Sequence, residues 1–174
     1  MEKSFLVSYI SNSCIYHNQK NNMQISEHLT LAELIRSESA KRNGIANMPT
    51  PEHIANLKLL AEHIFEPIRL NFRCPILISS GYRSKELNAK IGGANTSQHS
   101  LGQAIDIDMD GTNYDVTNAD IFNFIKDKLP FDQLIWEFGN VLNPFWVHVS
   151  YSDRHRRQIL KATKLNGITH YKQI

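Results

Sequence analysis

Ser97-Gln98-His99-Ser100-Leu101-Gly102-Gln103-Ala104-Ile105-Asp106-Ile107-Asp108 is the segment on which the reading of this chain turns. A polar loop carrying His99 gives way, past Gly102, to an alternation over Ala104–Asp110. Ile105, Ile107 and Met109 take one side and Asp106 and Asp108 the other, the period-two signature of a strand with one buried and one polar face. Glycine at 102 permits a turn tight enough for the loop histidine and the strand aspartate, seven positions apart, to reach one ion.

An imidazole and a carboxylate are both zinc ligands, and a catalytic zinc site has three protein ligands with a fourth position open to water. The third is expected from Phe145-Trp-Val-His-Val-Ser-Tyr151. Strand alternation there puts Trp146, His148 and Ser150 on one face while Val147 and Val149 face the core. The candidate ligand set is therefore His99, Asp106 and His148.

Working outward, the clearest helix starts at Thr50 as N-cap with Pro51 in the first turn. Ile54, Leu57, Leu60, Ala61, Ile64, Phe65 and Ile68 recur at helical spacing behind it. A short amphipathic helix is expected over Leu29–Arg36, a strand over Pro75–Ser79, and a brief helix over Ser84–Lys90. Another helix is expected from Thr117 to Leu129, stopped by Pro130. The runs Gln133–Phe138 and Phe145–Tyr151 are expected to form an antiparallel hairpin, and Asp153–Leu165 a last helix. Met1–Ser26 is expected to be irregular after one strand, Phe5–Ile10. These elements predict an α+β domain with helices packed on a small antiparallel sheet.

The chain has 174 residues, 41% of them hydrophobic, enough for one ordinary core. Its formal charge of +2 is scattered, so no basic stripe points to nucleic acid or to a membrane surface. Two cysteines, Cys14 and Cys74, form no CxxC pair and are expected to be reduced thiols. The polar residues Ser8, Ser11, Asn12 and Ser13 interrupt the apolar start, so no signal peptide is expected and synthesis in the cytoplasm is. No GxSxG elbow, Walker loop or dinucleotide fingerprint is present.

Four motifs in order, Ser80-Gly-Tyr-Arg-Ser84, Ser97-Gln-His99, Gly102-Gln-Ala-Ile-Asp106 and Trp146-Val-His148, make the chain resemble the M15 family of zinc D-Ala-D-Ala carboxypeptidases and related phage endolysins, of the hedgehog/DD-peptidase fold. The resemblance runs from about Leu29 to about Leu160. It divides the chain into an N-terminal extension, residues 1–26, and a zinc-peptidase domain, residues 27–174. It implies one zinc ion and hydrolysis of peptidoglycan stem peptides, by a carboxypeptidase or an endopeptidase acting as a monomer. With no export segment expected, it implies a phage lysis protein that reaches the wall when the cell opens.

In that family a carboxylate near the last histidine serves as general base, and the matching residue here is Glu137, ahead of Asp132. Many relatives carry the acid three positions before the histidine, where this chain has Phe145. Glu137 on the neighbouring strand of the hairpin is expected to lie beside His148 instead. Arg83 matches the family's substrate-binding arginine, suited to an oxygen that gains negative charge, and Ser97 matches a serine that helps hold the substrate.

Two other readings compete. The same fold permits a non-catalytic zinc-containing binding or structural module. Asp106-Ile-Asp-Met-Asp110-Gly111 matches the first half of a calcium-binding EF-hand loop, but position twelve is Thr117 where a bidentate glutamate is needed. Asp108 is read either as an acceptor orienting a ligand histidine or as an exposed strand acid.

Overall fold

The computed structural model describes residues 23–174; the strand expected over Phe5–Ile10 and Cys14 lie outside them. The described chain opens with a small antiparallel pair, β1 (Gln24–Ser26) and β2 (Leu29–Thr30). Thr30 then caps α1 (Leu31–Ile35): its hydroxyl accepts the Glu33 N–H, and the Glu33 carboxylate accepts the Thr30 N–H in return. Helix α2 (Glu38–Asn43) follows, capped by Ser37.

The long apolar stripe forms the main helix as expected, from N-cap Thr50 through α3 (Pro51–Leu60). A π-helical turn, Ala61–Phe65, carries it into α4 (Glu66–Phe72) without a break. The π turn ends at Phe65, two residues before Pro67, which has no N–H for the helical ladder. Leu57, Leu60, Ala61, Ile64, Phe65 and Ile68 are all buried on one face of this rod.

Beyond β3 (Ile78–Ser80) come α5 (Lys85–Lys90), β4 (Ala104–Ile107) and α6 (Asn118–Lys128). The chain closes with four strands, β5 (Gln133–Glu137), β6 (Trp146–Ser150), β7 (Gln158–Leu165) and β8 (Ile168–Gln173). They join the earlier ones in a six-stranded sheet of order β3-β4-β6-β5-β7-β8. Ile105, Ile107, Leu134, Trp136, Val147 and Val149 meet the main helix and α6 in one core. Each such side chain contributes about 1.5–3 kcal/mol by leaving water. Among the described residues, no helix is long and apolar enough to cross a membrane.

Gln24–Ser26, expected to be irregular, forms β1, and Leu29–Thr30, expected to open a helix, forms β2; three further expectations need correction. The sheet is not wholly antiparallel: β6 already occupies one edge of β5, so β7, reached by a short turn from β6, takes the other edge and runs parallel to β5. No helix forms over Asp153–Leu165, because Gln158–Leu165 is β7. Asn166-Gly167, both at positive φ (52° and 81°), is a two-residue hairpin turn into β8. That Asn-Gly pair is the strongest short-range hairpin signal there is, and it outweighs the helix-forming composition before it. Strand β3 begins at Ile78 rather than Pro75, whose ring nitrogen has no proton to donate to a ladder.

Candidate metal centre

The face of the sheet opposite the core carries the polar residues. Asp106 stands directly opposite His148 in the β4–β6 ladder, and Ile135 stands opposite His148 in the β5–β6 ladder. Alternation that sends Ile105, Ile107, Val147 and Val149 into the core therefore delivers Asp106 and His148 side by side on the other face. His99 arrives from a 3₁₀ turn, Gln98–Leu101, that ends at Gly102 with φ 69°. A Cβ at Gly102 would stand 2.5 Å from the His53 carbonyl oxygen, so both the turn and the close approach require glycine.

His99 Nδ1–H donates to the Gly81 carbonyl at 2.7 Å, which orients the ring and turns Nε2 toward Asp106 and His148. Gly81 is itself pinned, since a Cβ there would lie 2.4 Å from the Leu34 carbonyl oxygen. His99 Nε2 lies 3.2 Å from His148 Nδ1 and 3.2 Å from Asp106 Oδ1, and His148 Nδ1 lies 2.9 Å from the same oxygen. One ligand atom from each residue falls within 4.8 Å of the others, and all three residues are buried.

This donor set fits zinc. Donors about 2.0–2.2 Å from a tetrahedral ion stand about 3.3–3.6 Å from each other. The observed separations of 2.9–3.2 Å fall just short of that range, as expected of groups holding hydrogen bonds where a cation would sit. Burial alone would raise the Asp106 carboxyl, but the charge on His99 and the hydrogen bonds from His148 and His99 hold it well below the usual carboxylate range. An ionised carboxylate beside two imidazoles is the state that binds a cation.

A cleft of about 520 Å³ opens on this cluster and is lined by Arg83, Ser97 and Glu137 as well. Arg83 Nη2 donates to Asp106 Oδ2 at 2.5 Å, and its Nε donates to Ser80 Oγ at 2.8 Å. The Ser97 hydroxyl caps no backbone N–H, although Ser97 opens the 3₁₀ turn. Glu137 stands opposite Trp146, one alternation along β5 from the Ile135 that faces His148. Burial, with repulsion from Asp106 added, pushes the Glu137 carboxyl up to about 7 against the pull of His148 and Arg83.

Asp132 lies elsewhere and does other work. Its side chain is fully buried, receiving Arg156 Nε at 2.9 Å, Arg156 Nη2 at 2.7 Å and Gln98 Nε2 at 2.7 Å. Burial opposes its ionisation, but these donors keep its carboxyl well below the ordinary range. Through Gln98 it braces the turn that presents His99. The acids of the EF-hand-like stretch do not converge. Asp108 accepts the Asp110 N–H and Asn118 Nδ2, and Asp110 accepts Asn143 Nδ2. Asp108 is thus neither an acceptor for a ligand histidine nor part of β4.

Sequence reasoning missed Gln98, Arg154, Arg156, Leu160 and Tyr171, all of which line the cleft. Gln98 sat inside a quoted motif. The others follow β6, where the available signal was the Asn166-Gly167 turn.

The family profile described as Peptidase M15 matches residues 27–150, which span β2 to the end of β6 and include every motif residue of the cleft. No curated protein matches the chain.

Proposed function

This chain belongs to the peptidase M15 family, and from that premise we propose that it is a zinc-dependent peptidase that hydrolyses peptide bonds in peptidoglycan stems, on a hedgehog/DD-peptidase-like scaffold. The observation that carries the reading is the convergence of His99 Nε2, His148 Nδ1 and Asp106 Oδ1 at 2.9–3.2 Å on the floor of an open cleft. His99, Asp106 and His148 would hold the ion. When bound, zinc supplies Lewis-acid chemistry, polarising the scissile carbonyl and acidifying water.

The remaining work falls to side chains. Glu137, whose carboxyl is raised by burial to about 7 in the metal-free protein, accepts a proton from the attacking water and returns it to the leaving amine. Arg83 has five N–H donors, of which Nε and one on Nη2 are engaged by Ser80 and Asp106. Those left over are free to stabilise the negative oxygen that develops on the carbonyl. Ser97 offers an uncommitted hydroxyl to the substrate backbone. Asp132, tied to Arg156, is unsuited to the base role because its lone pairs are already taken.

Purified peptidoglycan is the test substrate, with released fragments identified by mass spectrometry before and after chelation. Chelator-sensitive release of free D-Ala marks a carboxypeptidase, and chelator-sensitive release of larger stem fragments marks an endopeptidase. Zinc binding with no fragment of either kind would overturn the hydrolytic reading in favour of a zinc-containing binding module.

A further inference from the structure

The C-terminal hairpin forms a wall of the cleft. In the parallel β5–β7 ladder Glu137 stands opposite Ala162, and in the β7–β8 ladder Ala162 stands opposite Tyr171. Directly opposed residues present their side chains on one face, so Glu137, Ala162 and Tyr171 form a single row across three strands. Strands lie about 4.8 Å apart, which sets the two outer Cα atoms about 10 Å apart, with Ala162 fully buried between them. The adjoining row runs from His148 through Ile135 to Leu160, and all three of these residues line the cleft.

Tyr171 lines the same cleft as Glu137, Arg83 and the ligand cluster, yet its residue is 56% exposed, too open for a core position. A large ring with a polar tip, half in water and facing reacting groups, is the typical dress of a contact residue. Burial of the phenol, followed by the charges of Glu137 and Asp106, raises its pKa above the ordinary tyrosine value. The hydroxyl therefore keeps its proton and is a donor. Its strand lies beyond residues 27–150, so family membership assigns it nothing.

Resting on the peptidase reading above, we propose that Tyr171 is a substrate-positioning residue, its hydroxyl donating a hydrogen bond to a backbone carbonyl of a peptide lying in the cleft that it shares with Glu137. A peptide lying along Ile135 and Leu160 in that cleft meets both the general base and the phenol. The hydroxyl sets how deep the chain lies and takes no part in proton transfer.

Two measurements test this with soluble stem peptides released from purified peptidoglycan. In turnover, Tyr171→Phe raises KM roughly fivefold to tenfold, as expected for one lost hydrogen bond, and leaves kcat within about twofold. In calorimetry, the zinc-loaded Glu137→Gln variant binds the same peptides, and adding Tyr171→Phe weakens binding by the same factor while zinc content and the melting midpoint hold. Lys172→Ala, on the opposite face of β8, changes neither quantity. Turnover by the parent protein with KM and binding unaltered by Tyr171→Phe overturns this inference alone. Absence of both turnover and binding in the parent overturns it together with the peptidase reading.

Discussion

His99 Nε2 and His148 Nδ1 face each other at 3.2 Å across the carboxylate of Asp106. Two imidazole nitrogens brought so close in a buried site need either a shared proton or a cation between them. We predict that zinc fills that need. His99→Ala or His148→Ala should lower zinc affinity by at least about a hundredfold, measured by competition with a chromophoric chelator. The parent should lose thermal stability on chelation while either variant shows no such change. Equal zinc affinity in parent and variants would exclude the site.

Glu137 couples activity to pH. Glu137→Gln should reduce turnover by about 10²–10⁴-fold while retaining zinc. In the metal-free protein its carboxyl sits at about 7 against 4.5 for the free side chain, mainly through burial. A raised folded-state value favours the protonated form. That contribution is complete below about 4.5 and is lost as pH rises through about 7. The unfolding free energy of the metal-free protein, from urea titrations, should therefore fall between pH 5 and 8 by an amount on the order of 2–3 kcal/mol, and Glu137→Gln should flatten the fall. Bound zinc, a nearby positive charge, should move the midpoint down, so the rising limb of kcat/KM is expected below pH 7.

Asp132 acts in the opposite sense. Its folded-state carboxyl is depressed, because the Arg156 and Gln98 donors outweigh the burial that opposes ionisation. Its stabilisation is present above the free value of 3.8 and is lost as pH falls below it. Asp132→Asn should cost about 2–3 kcal/mol at pH 7, toward the low end for a buried pair because Arg156 is partly exposed. The cost should shrink on acidification below about pH 4, as the parent carboxyl takes up its proton. Zinc content should survive. A variant as stable as the parent at neutral pH would remove Asp132 from the brace behind His99.

Gly102→Ala tests the turn. The positive φ and the 2.5 Å approach to the His53 carbonyl together predict destabilisation of about 1–3 kcal/mol, with weaker zinc binding because His99 rides on the displaced turn. Gly111→Ala is the control, with a positive φ but open space around its Cβ position, and should affect stability without affecting zinc. Unchanged zinc affinity in Gly102→Ala would show that the turn does not set the position of His99.

Where local chemistry is decisive, the chain could be read without its structure. Thr50-Pro51 followed by the Leu57-to-Ile68 stripe dictates the main helix, because caps and apolar periodicity act over a few residues. Alternation along Ala104–Ile107 and Trp146–Ser150 likewise determines that Asp106 and His148 leave the core face together, and the spacing from His99 makes a shared ion conceivable. Tertiary structure alone decided the rest. Which strand pairs with which is a long-range matter, so the parallel placement of β7 beside β5, and with it Tyr171 in the cleft, could not be read from local pattern. The separate fates of Glu137 and Asp132 depend on what surrounds each: a partly dry cleft wall for one, Arg156 and Gln98 for the other. Burial and partner geometry are properties of the packed chain, and they turn two similar carboxylates into a candidate base and a structural brace.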